Sequence, residues 1–350
     1  MANLSQLKFA MVTSIFLSAF IFSLLVFAIV FFLELDMFTG LLIAVGGSAL
    51  FILFQYAIGP AIVAATTKLH YLKTGENPWL ESMVKELADK SGVPMPKLAT
   101  VPNDTPNAFT FGRTASSATL AVHDGLLKTL NKGEIEAVIA HELGHIKHKD
   151  YVVMTILSAL PLIAYIIAQF ALRAGMISSM GRRRNDREGN AGAVLVIIGV
   201  ISFVIYILTF LVVMRLSRLR EHYADAFSAY LTGSPHGLQS ALAKITYGLS
   251  ISPKATEGAR AFYIGDPATA KKEIQRVMSK KAEYDLDKDG VLNERELNQA
   301  MEKEASSTWV QMNSLFATHP PTFKRIQLLR IIEKEMTTGT YASDKMYAHV

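Results

Sequence analysis

Asn131-Lys-Gly-Glu-Ile-Glu-Ala-Val-Ile-Ala-His141-Glu142-Leu143-Gly144-His145 is the stretch on which the reading of this chain turns. Asn131 and Glu134 are spaced as the N-cap and N3 acid of a capping box, which predicts a helix beginning here. In a helix, positions four apart stand one above the other. His141 and His145 therefore share a face with Glu142 beside them, while Ile135, Ile139, Leu143 and Ile146 fall on another side. A helix with an apolar side and a separate H/E/H side suits a packed domain in which two imidazoles hold one zinc ion. Glu142 then acts as general base toward a water held by that metal, the arrangement of a zinc-dependent hydrolase. The competing reading is a surface helix that happens to carry two histidines.

Composition narrows the setting. Of 350 residues, 51% are hydrophobic, which is high for a soluble protein and points to membrane segments. Cysteine is absent, so disulfides and thiolate metal sites are excluded, and any zinc must use histidine and carboxylate ligands. The net charge of +5 has a local source in Arg182, Arg183, Arg184 and the basic flanks of the apolar runs. It reads as membrane-flank charge. With no Gly-rich phosphate loop or Arg/aromatic groove, no nucleic-acid partner is expected.

Four apolar runs, 9–33, 38–65, 152–172 and 193–214, are each about as long as the ~20 residues a membrane helix needs. The first is too long for a signal-peptide core, and Glu34 and Asp36 follow it rather than a cleavage site, so it is expected to be a retained anchor. The break between runs one and two is acidic, and Lys68 and Lys73 follow run two. The first hairpin is thus expected outside and the catalytic segment in the cytoplasm. Arg173, Arg182, Arg183, Arg184 and Arg187 lie between runs three and four, against Lys147, Lys149, Arg215, Arg218 and Arg220 on their other flanks. These two runs either cross with an unusually basic outer loop or do not fully cross. Both cases give an even number of crossings, which leaves H-E-L-G-H and everything after Met214 in one compartment.

A catalytic zinc keeps three protein ligands and one open position. The best candidate for the third ligand lies in Ser217-Arg-Leu-Arg-Glu-His-Tyr-Ala-Asp225, where Glu221 and Asp225 are four apart on one helical face. Glu221 can ligate zinc, and Asp225 can accept the N–H of a ligating histidine and fix its tautomer. Alternatively Glu221 is a surface acid paired with Arg218 or Arg220. His222 projects elsewhere and is read as structural.

A second metal pattern stands apart. Asp285, Asp287, Asp289, Val291, Asn293 and Glu296 occupy the ligand positions of an EF-hand loop, with Gly290 at its sharp turn. Helical flanks are expected at 270–284 and 295–305. The loop is expected to hold Ca²⁺; the bland alternative is an acidic solvent loop, and regulation by Ca²⁺ is a separate hypothesis.

The order of motifs is an apolar hairpin, N-A-F, H-E-L-G-H, a second apolar pair, S-R-L-R-E-H-Y-A-D and T-H-P-P. In this it resembles the HtpX family of membrane zinc metalloproteases, relatives of the type I CAAX prenyl proteases. The likeness runs over most of the chain, apart from the EF-hand-like insert. It implies zinc on His141, His145 and Glu221, Glu142 as general base, a cytosol-facing site in the cell membrane, and degradation of misfolded or damaged membrane proteins. Two further segments match the family pattern. Asn107, Ala108 and Phe109 fall in a strand-prone stretch expected to bind extended substrate backbone by β-augmentation, with Asn107 reaching the substrate or holding the strand. His319, in Thr318-His-Pro-Pro321, is placed to donate to the developing oxyanion, although the prolines also suit a helix start.

The expected fold is mostly α, α+β overall: a membrane-anchored zincin-type domain with four hydrophobic helices and a small sheet around 97–122 beside the H-E-x-x-H helix. The expected organisation is two transmembrane helices (1–67), an N-terminal protease half (68–150), the third and fourth hydrophobic segments (151–214), and a C-terminal half (215–350) with the insert at about 270–305. Two rival functions are a CAAX-type processing protease and a non-catalytic membrane calcium sensor. Nothing in the sequence specifies an oligomeric state.

Overall fold

The computed structural model describes residues 4–34, 36–180, 191–251, 264, 267–286, 288, 299–300, 303, 315, 317–341 and 346–350. The elements begin with α1 (Leu4–Phe32), α2 (Met37–Thr67), β1 (His70–Tyr71), α3 (Pro78–Ser91), β2 (Lys97–Val101) and β3 (Ala108–Phe111). There follow β4 (Thr119–His123), α4 (Asp124–Thr129), α5 (Lys132–His148), α6 (Asp150–Met180) and α7 (Ala191–Thr232). The described elements close with α8 (Pro235–Ile251), α9 (Pro267–Ser279), α10 (Lys281–Tyr284) and α11 (Thr322–Thr337). They form two compact units.

One unit comprises Lys8–Gly59 and Val152–Leu216. The four helices α1, α2, α6 and α7 are each long and apolar enough to cross a membrane. Phe9, Phe16, Phe20, Phe27, Phe31 and Phe170 stand exposed, a surface that suits lipid and not water. Phe22, Leu25, Ala164 and Ile205 form the unit's buried core. Small residues let α6 and α7 approach: a Cβ on Gly199 would lie 2.6 Å from the Leu172 side chain.

The other unit comprises Met1–Leu7, Pro60–Tyr151 and Ser217–Val350. Its sheet has the order β1-β2-β4-β3, with β2 and β4 parallel and the two outer strands antiparallel to their neighbours. The sheet expected around 97–122 is thus present with one further strand, β1. β4 is buried along its whole length and β3 lies at an edge. Helix α5 starts at the capping box read from the sequence: Glu134 N donates to Asn131 Oδ1 at 3.0 Å, and Asn131 N to Glu134 Oε2 at 2.9 Å. Glu134 also accepts from Ser240 and Lys244 of α8. Ser228 of α7 donates to the Ala137 carbonyl of α5 at 2.6 Å. At the far end of α5, His148 Nε2 meets the Tyr347 hydroxyl at 2.8 Å, so the chain's last residues pack on the helix.

The apolar runs join the site segments in two ways: chain order suggests a continuous helix at both junctions, and only the one into the Glu221 segment is continuous. The fourth run and the Glu221 segment are one unbroken helix, α7. The third run is separated from α5 by Lys149, whose left-handed backbone (φ 60, ψ 34) ends one helix before the next begins at Asp150.

Candidate metal centre

His141 and His145, one turn apart on α5, and Glu221 on α7 present ligand atoms that all lie within 4.8 Å of one another. The two Nε2 atoms face each other at 3.2 Å. Glu221 Oε2 is 3.6 Å from His141 Nε2, and Glu221 Oε1 is 3.5 Å from His145 Nε2. A tetrahedral zinc with bonds of about 2.0–2.2 Å needs ligand atoms roughly 3.3–3.5 Å apart. The facing rings come close to that spacing, and Glu221 offers a different oxygen to each of them. Glu221 Oε2 is also buried without a contact of hydrogen-bond geometry, so it retains capacity to accept a metal ion. Thus the side chains brought together are those picked from the sequence as metal ligands.

Each histidine has a carboxylate behind it. Asp225 Oδ1 lies 3.0 Å from His141 Nδ1, off the ring's N–H direction, in a site with no exposed surface on either side chain. Arg325 of α11 clamps Asp225, donating from Nε to Oδ2 at 2.8 Å and from Nη2 to Oδ1 at 2.6 Å. Its Nη1 also lies 3.3 Å from Glu221 Oε2. On the other ring, His145 Nδ1 is 2.7 Å from Asp150 Oδ2, and Arg220 Nε is 3.3 Å from the same oxygen.

The electrostatics follow from this packing. Burial opposes a charged ring at His141, but the carboxylates of Asp225 and Glu221 outweigh it and lift the pKa to about 9 without metal. Burial likewise opposes the charge of Arg325, and Asp225 and Glu221 overcome it, so the guanidinium stays protonated. Burial pushes the Glu142 carboxyl above its ordinary value, with Glu221 adding to the effect against the pull of the two histidines. The Thr110 hydroxyl of β3 donates to Glu142 Oε2 at 3.1 Å. A buried carboxyl with a raised pKa beside two imidazole rings suits proton transfer.

The remaining candidates are distributed as follows. Ala108 and Phe109 lie on edge strand β3, which packs against α5. The buried Asn107 accepts the backbone N–H of Ile264 on its Oδ1 at 2.9 Å. His319 is buried, with Nδ1 3.2 Å from Glu221 Oε2. Arg218 donates to the carbonyls of Leu315 and Ala317, just before His319. Of the calcium candidates, Asp285 follows α10 as its C-cap, while Asp287, Asp289, Val291, Asn293 and Glu296 lie outside the described residues. The sequence reading assigned no role to Thr110, Asp150 or Arg325, and took Arg220 only as a flanking charge or a surface partner of Glu221. Asp150 alone carried a local signal, an acid five residues beyond the second histidine.

The sequence profile of peptidase family M48 matches residues 74–333. The chain belongs to this family. A protease HtpX homolog of Thermococcus sibiricus is 34% identical over 300 residues, covering 85% of this chain and 88% of the relative. One from Methanothermobacter thermautotrophicus is 36% identical over 241 residues, 67% of this chain and 86% of the relative. One from Aeropyrum pernix is 34% identical over 284 residues, 79% and 82% respectively. The crystal structure of S. mikatae Ste24p is similar at 19% identity and a TM-score of 0.46, over 89% of this chain and 62% of that one. As an M48 peptidase with four helices fit to cross a bilayer among the described residues, the protein is a multi-pass membrane metallopeptidase. Zinc is the ion the family implies, and the His-His-Glu cluster is there to receive it.

Proposed function

We propose that His141, His145 and Glu221 hold the zinc ion and that Glu142 is the general base of peptide-bond hydrolysis. The observation that carries this reading is the convergence of His141, His145 and Glu221, one ligand atom of each within 4.8 Å of the others, beside a buried Glu142. Zinc, when bound, lowers the pKa of water toward neutrality and polarises a carbonyl. Glu142, steadied by Thr110, takes the proton of the attacking water and passes it to the leaving amine. Asp225 holds a proton on Nδ1 of His141 and so keeps Nε2 free to ligate. His319, beside the third ligand, donates to the oxyanion that develops as the carbonyl is attacked. Edge strand β3 pairs with the extended backbone of the substrate, which favours cleavage tolerant of sequence.

The substrates we infer are membrane proteins, misfolded or damaged ones among them, cut on the cytoplasmic side. Lys68 and Lys73 after the acidic first hairpin support that orientation. The four apolar helices support membrane proteins as the substrate class, and the relatives' name, protease HtpX homolog, supports proteolysis. We infer further that the loop from Asp285 to Glu296 binds Ca²⁺, on the strength of its ligand spacing. A Ca²⁺-dependent rise in melting temperature at fixed zinc checks that point, and no change removes it.

Glu142→Gln tests the central assignment. It keeps the shape of the side chain and loses the base. The variant is expected to retain zinc while cleavage of casein or of the chain itself falls about 10²–10⁴-fold. Near-native cleavage by this variant overturns the assignment.

A further inference from the structure

We propose that Asp150, held by Arg220, is the positioning residue of the second histidine. The inference rests on the zinc reading above and extends it to residues outside that reading. His141 has the pair Asp225 and Arg325 behind its ring. His145 has a carboxylate and an arginine from a different source: Asp150 Oδ2 hydrogen-bonded at 2.7 Å to Nδ1, with Arg220 Nε an ion-pair neighbour 3.3 Å from that oxygen. Both carboxylates are buried, with Asp150 1% and Asp225 0% exposed, and each faces one ring and one arginine.

The local fold builds this contact. Lys149 takes a left-handed conformation that a lysine adopts only under constraint, and its N–H bonds back to the carbonyls of His145 and Ile146. The reversal turns Asp150, first residue of α6, back onto the ring five positions earlier. A carboxylate on Nδ1 keeps the proton there, directs the Nε2 lone pair outward and raises its basicity. Arg220 offers this buried carboxylate a cationic neighbour. It immediately precedes Glu221 on α7, so Asp150 connects the histidine-bearing turn with the turn that carries the third ligand. One carboxylate thereby sets the orientation of His145 and its register with Glu221.

The test uses the full-length chain in detergent, stripped of metal and titrated with Zn²⁺ against a competing chelator, with Co²⁺ absorption spectra alongside. Asp150→Ala is expected to weaken zinc binding about 10–100-fold and to shift the Co²⁺ bands. Arg220→Met, which loosens Asp150 without removing it, is expected to weaken binding less. Asp150→Asn keeps size and one acceptor but not the charge; a measurable loss of affinity in it is expected, and it decides the matter if the alanine variant does not fold. A merely structural ion pair would lower the melting temperature of the metal-free chain and leave zinc affinity and the Co²⁺ spectrum unchanged, and that result overturns the proposal. If the wild-type chain itself holds no zinc, the metal reading fails instead, and the two failures are told apart.

Discussion

Among the described residues Arg325 is the largest fully buried side chain, and its guanidinium stands between Asp225 and Glu221. Removing one member of a buried charge group leaves the rest uncompensated, at a cost of about 3–5 kcal/mol. Arg325→Met is therefore expected to destabilise the metal-free chain by about that amount. Arg325→Lys keeps the charge and loses the bidentate fork, so it should fall between Met and wild type. Thermal melting of the three chains in chelator checks the order. His141 sets a pH dependence of opposite sign for folding and for metal binding. Its folded pKa of about 9 lies above the ordinary 6.5, so its stabilising contribution is complete below about pH 6.5 and is lost as pH rises through about 9. Metal needs the ring deprotonated, so zinc affinity rises over the same window. The melting temperature of the metal-free chain should fall between about pH 6.5 and 9 while its zinc affinity climbs. A flat apo profile would show that the carboxylates do not hold the proton there.

At the scale of elements, the site depends on how closely α5 and α7 approach, and Gly144 sets that distance. A Cβ there would lie 3.2 Å from Ala224 Cα and 3.1 Å from Phe227 Cδ1. Backbone cannot swing aside as a flexible chain end does, so Gly144→Ala must part the helices by a few tenths of an ångström. In an isolated helix the change would gain up to about 1 kcal/mol in propensity. Overpacking of about 1–3 kcal/mol offsets it here. We expect stability to change little and zinc affinity to fall, because the displacement moves Glu221 away from the paired rings. Side-by-side melting and zinc titration check this; unchanged affinity would show that the two helices adjust independently. This approach between helices also marks where the sequence stopped being informative. The cap at Asn131, the shared face of His141 and His145, and the i, i+4 pair of Glu221 and Asp225 are local periodicities, and the chain displays them openly. Arg325, 100 residues beyond Asp225, and Thr110, 32 residues before Glu142, join the site only through tertiary packing. Asp150 is near in sequence, yet its contact depends on a left-handed lysine, and nothing in the composition of 146–151 announces one.

On the scale of the whole molecule, what matters is which side of the bilayer holds the peptidase. The chain has no cysteine, so any introduced thiol reports without background. Glu34, in the acidic break after α1, is exposed, as are Lys85 on α3 and Lys334 on α11. Charge bias predicts the first hairpin outside, and an even number of crossings would put both lysine positions together on the other side. Glu34→Cys is expected to react with a membrane-impermeant maleimide in intact cells, and Lys85→Cys and Lys334→Cys only after the cells are opened. Labelling of Lys85→Cys in intact cells would invert the orientation and remove cytoplasmic segments from the substrates the enzyme can reach. Labelling of only one of the two lysine positions would mean an odd number of crossings between them. His141 and His145 precede runs three and four and Glu221 follows them, so that outcome would separate the histidines from Glu221 by a bilayer. Three ligands of one zinc ion must lie within a few ångströms, and a membrane core is about 30 Å thick. The topology experiment therefore tests the metal site as directly as it tests orientation.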